Sequence, residues 1–380
     1  MKQKESQNLF LMKAEGELLI QLKNGNLLIY NFDYSYKLNI YSEKTFHKLL
    51  EIDLYKNFFR QKIIEEKNKI NNDKNKSNGD YFFNKFRNSN FSIKEIDDNL
   101  ILIGKDSFLI EIKLHEKSFY IKEIKQLNDE IVDINELTDK KILIMTENEF
   151  FIIKKENNEY IIKEVNKIDN NWKIDLDKRC YKDIKQYFHS YELPKNRIAL
   201  LSFSIEECYQ GDCRIPFSKI FSSHSKIIFI DFSNLKEIKS TETFIQQIAE
   251  FMELENEIII QENNNLHLYD KNSLDLIKII KIDENYDMFY FPNLFKIFKF
   301  DEHNLIGIYL NSYNNDLILY EVINKGQLKK FIIKTNLKFE YRNNGYETSK
   351  NVYKHLFILK NKKVLFFYGK KIFIMNLNLN

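Results

Sequence analysis

Short apolar runs alternate along this chain with polar turns, and the alternation has a fixed grammar: an apolar run, a turn of three or four residues, a strongly apolar run, a second turn, a third apolar run. The first turn is the most regular part. Ile96 leads through Asp97, Asp98 and Asn99 to Leu100, and Leu137 reaches Ile142 across Thr138 to Lys141. Leu254 reaches Ile258 through Glu255, Asn256 and Glu257, and Phe300 reaches Leu305 across Asp301 to Asn304. The same step joins Ala14 to Leu18, Leu193 to Ile198 and Leu359 to Val364, which makes seven occurrences. The runs that follow, such as Ile142 to Met145 or Val364 to Phe367, are short and rich in β-branched and aromatic residues, as buried strands are.

A second turn, as at Lys105 to Ser107 or Glu262 to Asn265, leads into a third strand such as Phe108 to Ile112 or Leu266 to Tyr269. The chain has only nine glycines. Asn and Asp tolerate positive φ better than other side chains and stand in for glycine at these hairpins. A fourth, more polar run closes each unit, seen in Tyr36 to Tyr41, Phe119 to Ile124, Tyr160 to Val165, Leu274 to Ile280 and Leu328 to Ile333. Polar alternation suits an outer strand with one face in water. Four antiparallel strands per unit, graded from apolar to polar, predict an all-β chain: a single β-propeller over 1–380 with seven four-stranded antiparallel blades.

The third runs end in Ile29-Tyr30-Asn31, Leu268-Tyr269-Asp270 and Leu319-Tyr320-Glu321. An apolar residue, an aromatic and an acid or amide at that place resemble the WD-repeat family. No repeat opens with the family's Gly-His pair, and Trp never fills the aromatic slot. The resemblance implies closure by the N-terminus, which in related propellers completes the last blade. Only Lys2 to Asn8, very polar, precedes the expected first inner strand, so imperfect closure is expected.

Surplus residues fall at particular joints: Lys44 to Asn90 between the first two blades, then Asp169 to Tyr181, Asp283 to Pro292 and Lys334 to Lys350, with Ser204 to Lys226 interrupting the fourth blade. In a four-stranded meander these joints emerge on one side, so one face is expected to carry the elaboration and the binding. Within 44–90, Phe46, Leu50, Leu54 and Phe58 recur every fourth residue, which predicts an amphipathic helix followed by a low-complexity tail over Asn71 to Asp80. Lys44 to Asn78 holds nine basic and five acidic residues, a surplus of four against a net charge of +3 for the whole chain. The basic character belongs to this arm.

Composition adds limits. The 43% hydrophobic and 14% aromatic content exclude a disordered chain. Abundant Lys, Asn, Ile, Phe and Tyr read as the codon bias of an AT-rich genome. Six scattered arginines and a small net charge predict no sequence-specific nucleic-acid partner. No apolar run is long enough for a signal peptide or a transmembrane segment, and three cysteines suit reduced thiols, so a cytoplasmic location is expected.

Chemistry is sparse. Cys208 and Cys213 have a spacing that a zinc pair tolerates, but the second half of a ligand set is missing, so no metal is expected. The seven histidines fall in different repeats, and no Gly-rich phosphate loop is present, so neither catalytic residues nor a cofactor are assigned. His267, inside a strand, reads as a core residue. The expected function is a non-catalytic scaffold holding protein partners on the loop-decorated face. Phe58, Phe59, Trp172, Tyr209, Arg214, Phe217, Tyr286, Phe289 and Tyr290 are candidate contacts, since aromatics and arginine dominate interface hot spots. The alternative is a propeller hydrolase or lyase using channel carboxylates, for which Glu95, Asp133 and Glu250 are placed on inner strands. A basic arm binding RNA or an acidic membrane is a third reading, and it predicts salt-sensitive binding.

Overall fold

The computed structural model describes residues 3–5, 10–13, 18–31, 36–72, 91–137, 140–169, 172, 184–206, 225–243, 251–262, 265–281, 295–299, 305–310, 316–323, 327–334, 356–359, 363–368 and 371–376. The chain divides into two compact units, one of residues 20–243 and one of residues 1–19 with 244–380. Strands β1 (Gln3–Glu5) and β2 (Phe10–Lys13) belong to the second of these.

The 20–243 unit holds four sheets, each a meander of four consecutive strands. The first is β3 (Leu18–Gln21), β4 (Leu27–Asn31), β5 (Lys37–Tyr41) and β6 (Lys48–Asp53). A π-helical turn, Tyr55–Phe59, and helix α1 (Arg60–Asn72) follow. The second sheet is β7 (Phe91–Asp97), β8 (Leu100–Lys105), β9 (Phe108–Leu114) and β10 (Phe119–Gln126); the third is β11 (Ile131–Glu136), β12 (Lys141–Thr146), β13 (Glu149–Glu156) and β14 (Glu159–Lys167). The fourth is β15 (Ile184–Leu193), β16 (Arg197–Glu206), β17 (Ser225–Asp231) and β18 (Lys236–Thr243).

Adjacent sheets stack face to face. Leu102 and Leu109 of the second sheet pack on Ile131, Ile142, Ile144 and Phe151 of the third. Leu143, Met145, Phe150 and Ile152 of the third pack on Ile198, Leu200, Ile228 and Ile230 of the fourth. Each such buried side chain stabilises by about 1.5–3 kcal/mol. The first strands run side by side, β7 against β11 and β11 against β15. At Gly104 a Cβ would stand 2.5 Å from Cγ2 of Ile131, so the glycine lets β8 pass close to the next sheet. Asn99, Asp106, Asn157, Asn158 and Asn196 hold positive φ at the hairpins, the task expected of them in a glycine-poor chain.

The other unit has one more four-strand meander: β19 (Phe251–Glu253), β20 (Glu257–Glu262), β21 (Asn265–Asp270) and β22 (Leu276–Lys281). Strands β23 (Phe295–Lys299), β24 (Leu305–Leu310), β25 (Asp316–Ile323) and β26 (Gln327–Lys334) form a sheet to which β1 adds, parallel to β26. Strands β27 (Leu356–Ile358), β28 (Lys363–Tyr368) and β29 (Lys371–Asn376) are completed by β2, antiparallel to β29. Here too the first strands neighbour one another, β19 with β23 and β23 with β27. The architecture is all-β and propeller-like, with one helix among the described residues.

Three sequence expectations are corrected. Phe10–Lys13 is not the first sheet's inner strand; it is the outer strand of the last sheet, so the closing segment is apolar where Lys2 to Asn8 had been expected. The first sheet therefore shifts by one strand: Lys37–Tyr41 is its third strand, buried along nearly its whole length, and Ile29-Tyr30-Asn31 ends its second. The predicted helix starts late, because Lys48–Asp53 pairs with Lys37–Tyr41 as the half-exposed edge of that sheet.

Candidate interaction surface

The arm between the first and second sheets is anchored from its first residue. Leu54 donates its N–H to the Tyr36 carbonyl at 3.1 Å. The Asp53 carboxylate accepts the Lys56 N–H at 2.8 Å, and the Asn57 amide donates to the Asp53 carbonyl at 2.6 Å, so the strand turns directly into the π-helical turn. Phe59, fully buried, meets Tyr36 edge-on at 6.1 Å, and Phe58 meets Phe108 of β9 edge-on at 6.2 Å. Lys62 bonds Glu123 of β10 at 2.7 Å and Glu65 at 3.1 Å, and the Glu123 carboxylate holds its ammonium above the usual lysine range. Burial, then Tyr55, pushes the Tyr36 phenol up, keeping it neutral beneath the arm.

The result is a helix with two stripes. Phe59 and Ile63 face inward and are buried. Lys56, Arg60, Ile64 and Asn68 recur every fourth residue and are all exposed, Ile64 by 49%. A large apolar side chain one turn beyond Arg60, on a helix held by aromatic packing and an ion pair, is a surface suited to a partner.

The inner strands carry a second polar array whose groups are engaged between sheets. Oε2 of Glu95 on β7 accepts the Lys23 N–H from the β3–β4 turn. Lys23 Nζ donates to the Ile96 carbonyl at 2.8 Å and meets Glu136 of β11 at 3.4 Å. Asp133 of β11 accepts both the N–H and the hydroxyl of Ser190 on β15, each at 2.8 Å. Asn135 receives a hydrogen bond from Lys94 and donates to the Ser190 carbonyl, so β7, β11 and β15 are laced together. Glu95 is 8% exposed, and desolvation pushes its carboxyl above the ordinary range against the opposing pull of the Lys23 N–H. Glu111 of β9 accepts from Lys155 and from the Tyr160 hydroxyl, each at 2.5 Å, stapling the second sheet to the third. Burial, then the Glu111 hydrogen bond, pushes the Tyr160 phenol far up, so it remains a donor.

Two inner-strand carboxylates expected as catalytic candidates thus each accept from a neighbouring sheet, Glu95 through Oε2 and Asp133 through Oδ2. Sequence reasoning missed Lys23, Asn135, Ser190, Glu111 and Tyr160, because nothing local marks a residue whose partner lies about fifty positions or more away. Among the candidate contacts, Phe58 and Phe59 come together in the arm, whereas Trp172 is buried among Val132, Leu143, Phe150 and Ile198. His267 is a buried residue of β21. Tyr209, Arg214, Phe217, Glu250, Tyr286, Phe289 and Tyr290 lie outside the described residues, as do Cys208 and Cys213. Among the described residues no helix is long and apolar enough to cross a membrane, and no cluster of three or more His, Cys, Asp or Glu could hold a metal ion.

No family model matches the chain, and no curated protein matches it. Solved structures that resemble it include the Dos1 propeller, at 9% identity and a TM-score of 0.49 over 96% of this chain and 78% of that one. The complex of KlAtg21 with the coiled coil of AgAtg16 gives 11% identity and a TM-score of 0.49 over 97% and 96%. At these values the sheets themselves, and not the likeness, carry the statement of fold.

Proposed function

We propose that this chain is a non-catalytic protein-interaction scaffold of the cytosol, a seven-bladed WD-repeat-like propeller that holds its partners on the side where the insertions gather. The seven sheets found among the described residues support the blade count. One observation carries the interaction reading: α1 is fixed on its inner side by Phe59, Ile63 and the Lys62–Glu123 pair, yet presents Arg60 and Ile64 outward. On a helix held this firmly, a half-exposed isoleucine between polar neighbours is a side chain that a docking surface can use as an anchor. The engagement of Glu95 and Asp133 in inter-sheet hydrogen bonds weighs against the hydrolase or lyase alternative.

The test is affinity purification of the intact chain beside the double variant Arg60→Glu with Ile64→Asp. Both positions are exposed, so thermal unfolding is expected to match between the two. Loss of the partners from the variant is the expected result. Identical partners from both would remove α1 from the interface. Partners that dissociate in proportion to added salt, with nucleic acid recovered among them, would replace the scaffold reading with an electrostatic one.

A further inference from the structure

The outer strands of these sheets are edges, and edges are normally blunted by charge, by proline or by a covering segment. In the β23–β26 sheet the cover is the chain's own N-terminus. Gln3 pairs with Ile332, Lys4 with Ile333 and Glu5 with Lys334, all parallel. The seat is the tripeptide Ile332-Ile333-Lys334, which lies opposite Ile318, Leu317 and Asp316 of the third strand.

The same tripeptide stands at the same register one sheet earlier. Ile279-Ile280-Lys281 of β22 lies opposite His267, Leu266 and Asn265, again the first three residues of the third strand. The correspondence is specific: at this register β14 carries Val165-Asn166-Lys167 and β18 carries Thr241-Glu242-Thr243. Strand β22 ends its sheet, and among the described residues no strand pairs with its outer side. It also departs from the usual protection of an edge, since Leu276, Ile277 and Ile279 are exposed by 45, 53 and 46%. The other outer strands with described side chains expose one or two large apolar residues each. Three on six residues, beside Lys278 and Lys281, makes this the most apolar outer edge among those with described side chains.

We propose that the outer edge of β22 is a docking strand for an extended segment of a partner protein, which adds in parallel and sets a carboxylate opposite Lys281, as β26 receives Gln3–Glu5. Main-chain hydrogen bonds to the open edge supply the affinity, Ile279 packs on the stem of the residue set opposite it, and Lys281 supplies the preference for an acid two residues on. The chain's own β1 supplies the template for that occupant. The inference deepens the scaffold reading and rests on it, but uses a surface in the other unit, so failure here leaves the α1 test unaffected.

The probe is a fluorescently labelled synthetic peptide with the sequence of Met1 to Gln7, titrated into the full-length chain and read by anisotropy. The β26 seat is filled in cis at high effective concentration, so the added peptide is left with β22. One saturable site per chain is expected. The double variant Ile279→Asp with Lys281→Glu should weaken it about tenfold, the combined effect of one side-chain contact and one cross-strand ion pair turned repulsive. Lys334→Glu should leave it unchanged. Both altered β22 positions are solvent-facing, and an unshifted melting temperature confirms that the variant is folded. No saturable binding, or binding that follows Lys334 in place of Lys281, overturns the proposal. A concentration-dependent dimer in the absence of peptide would assign the edge to a second copy of the chain and overturn it as well.

Discussion

Glu95 shows how one residue can stand between a structural and a catalytic reading. Its carboxyl is nearly closed off from water, and Oε2 takes the Lys23 N–H. Desolvation raises its pKa above the unfolded value, so the folded state favours the protonated form. The stability this lends is fully present below the ordinary glutamate range and is lost as pH rises through the folded-state pKa, where the buried group must ionise. Glu95→Gln keeps an acceptor for the Lys23 N–H and removes the titration. The difference in melting temperature between variant and native chain is therefore expected to move in the variant's favour from about pH 4 to pH 7, followed by circular dichroism at constant ionic strength. A difference that stays flat across that window would mean that the carboxyl is solvated in solution. In a catalytic acid the same shift would have to lie beside a substrate cavity; here it lies at a joint between strands.

At the scale of elements, the arm makes the clearest division between support and display. Phe59 is fully buried and Ile64 half-exposed, although they sit only five residues apart. Phe59→Ala should cost about 3–5 kcal/mol, as large-to-small changes in packed sites do, whereas Ile64→Ala should stay within about 0.5 kcal/mol; urea unfolding of the two variants checks both. Equal costs would mean that α1 is immersed on both sides. This division was only half legible in the sequence. The fourfold spacing of Phe46, Leu50, Leu54 and Phe58 predicts a helix over the whole stretch, but Lys48–Asp53 becomes a strand because the third strand of the sheet offers it an unpaired edge. Such an edge strand is half exposed and carries little period-two signal of its own. The hairpins were legible for the opposite reason. Asn157 and Asn158 satisfy a local demand for positive φ at both turn positions, and local demands are written in local residues. The Glu111 staple to Lys155 and Tyr160 joins positions 44 and 49 apart, and no neighbour of Glu111 announces it.

For the whole molecule, the decisive fact is that one unit is contiguous and the other is built from both ends of the chain. The 20–243 unit holds four meanders whose strands pair with their sequence neighbours, so its sheets can form as the chain emerges. The other unit leaves β29 with an open side until Phe10–Lys13 returns from the far end, pairing Phe10 with Ile374 and Lys13 with Lys371. The expected closing segment was Lys2 to Asn8 because the turn from Ala14 to Leu18 looks like the step between a first and a second strand. A crossover from the last sheet to the first has the same composition, so only the pairing distinguishes them. The two segments separate in experiment. Removing residues 1–8 takes away β1 and spares β2, and the melting temperature should fall by no more than a few degrees. Removing residues 1–13 takes away four further paired residues and opens the edge of β29. At about 1 kcal/mol for each main-chain hydrogen bond lost, the cost is about 3 kcal/mol and the fall about 6–12 °C. The exposed strand, Lys-Ile-Phe-Ile-Met-Asn, combines high β-propensity with a single charge, so the longer truncation should also aggregate in light scattering while the shorter stays dispersed. If both truncations melt alike, the final sheet does not depend on β2, and the closure assigned to Phe10–Lys13 is wrong.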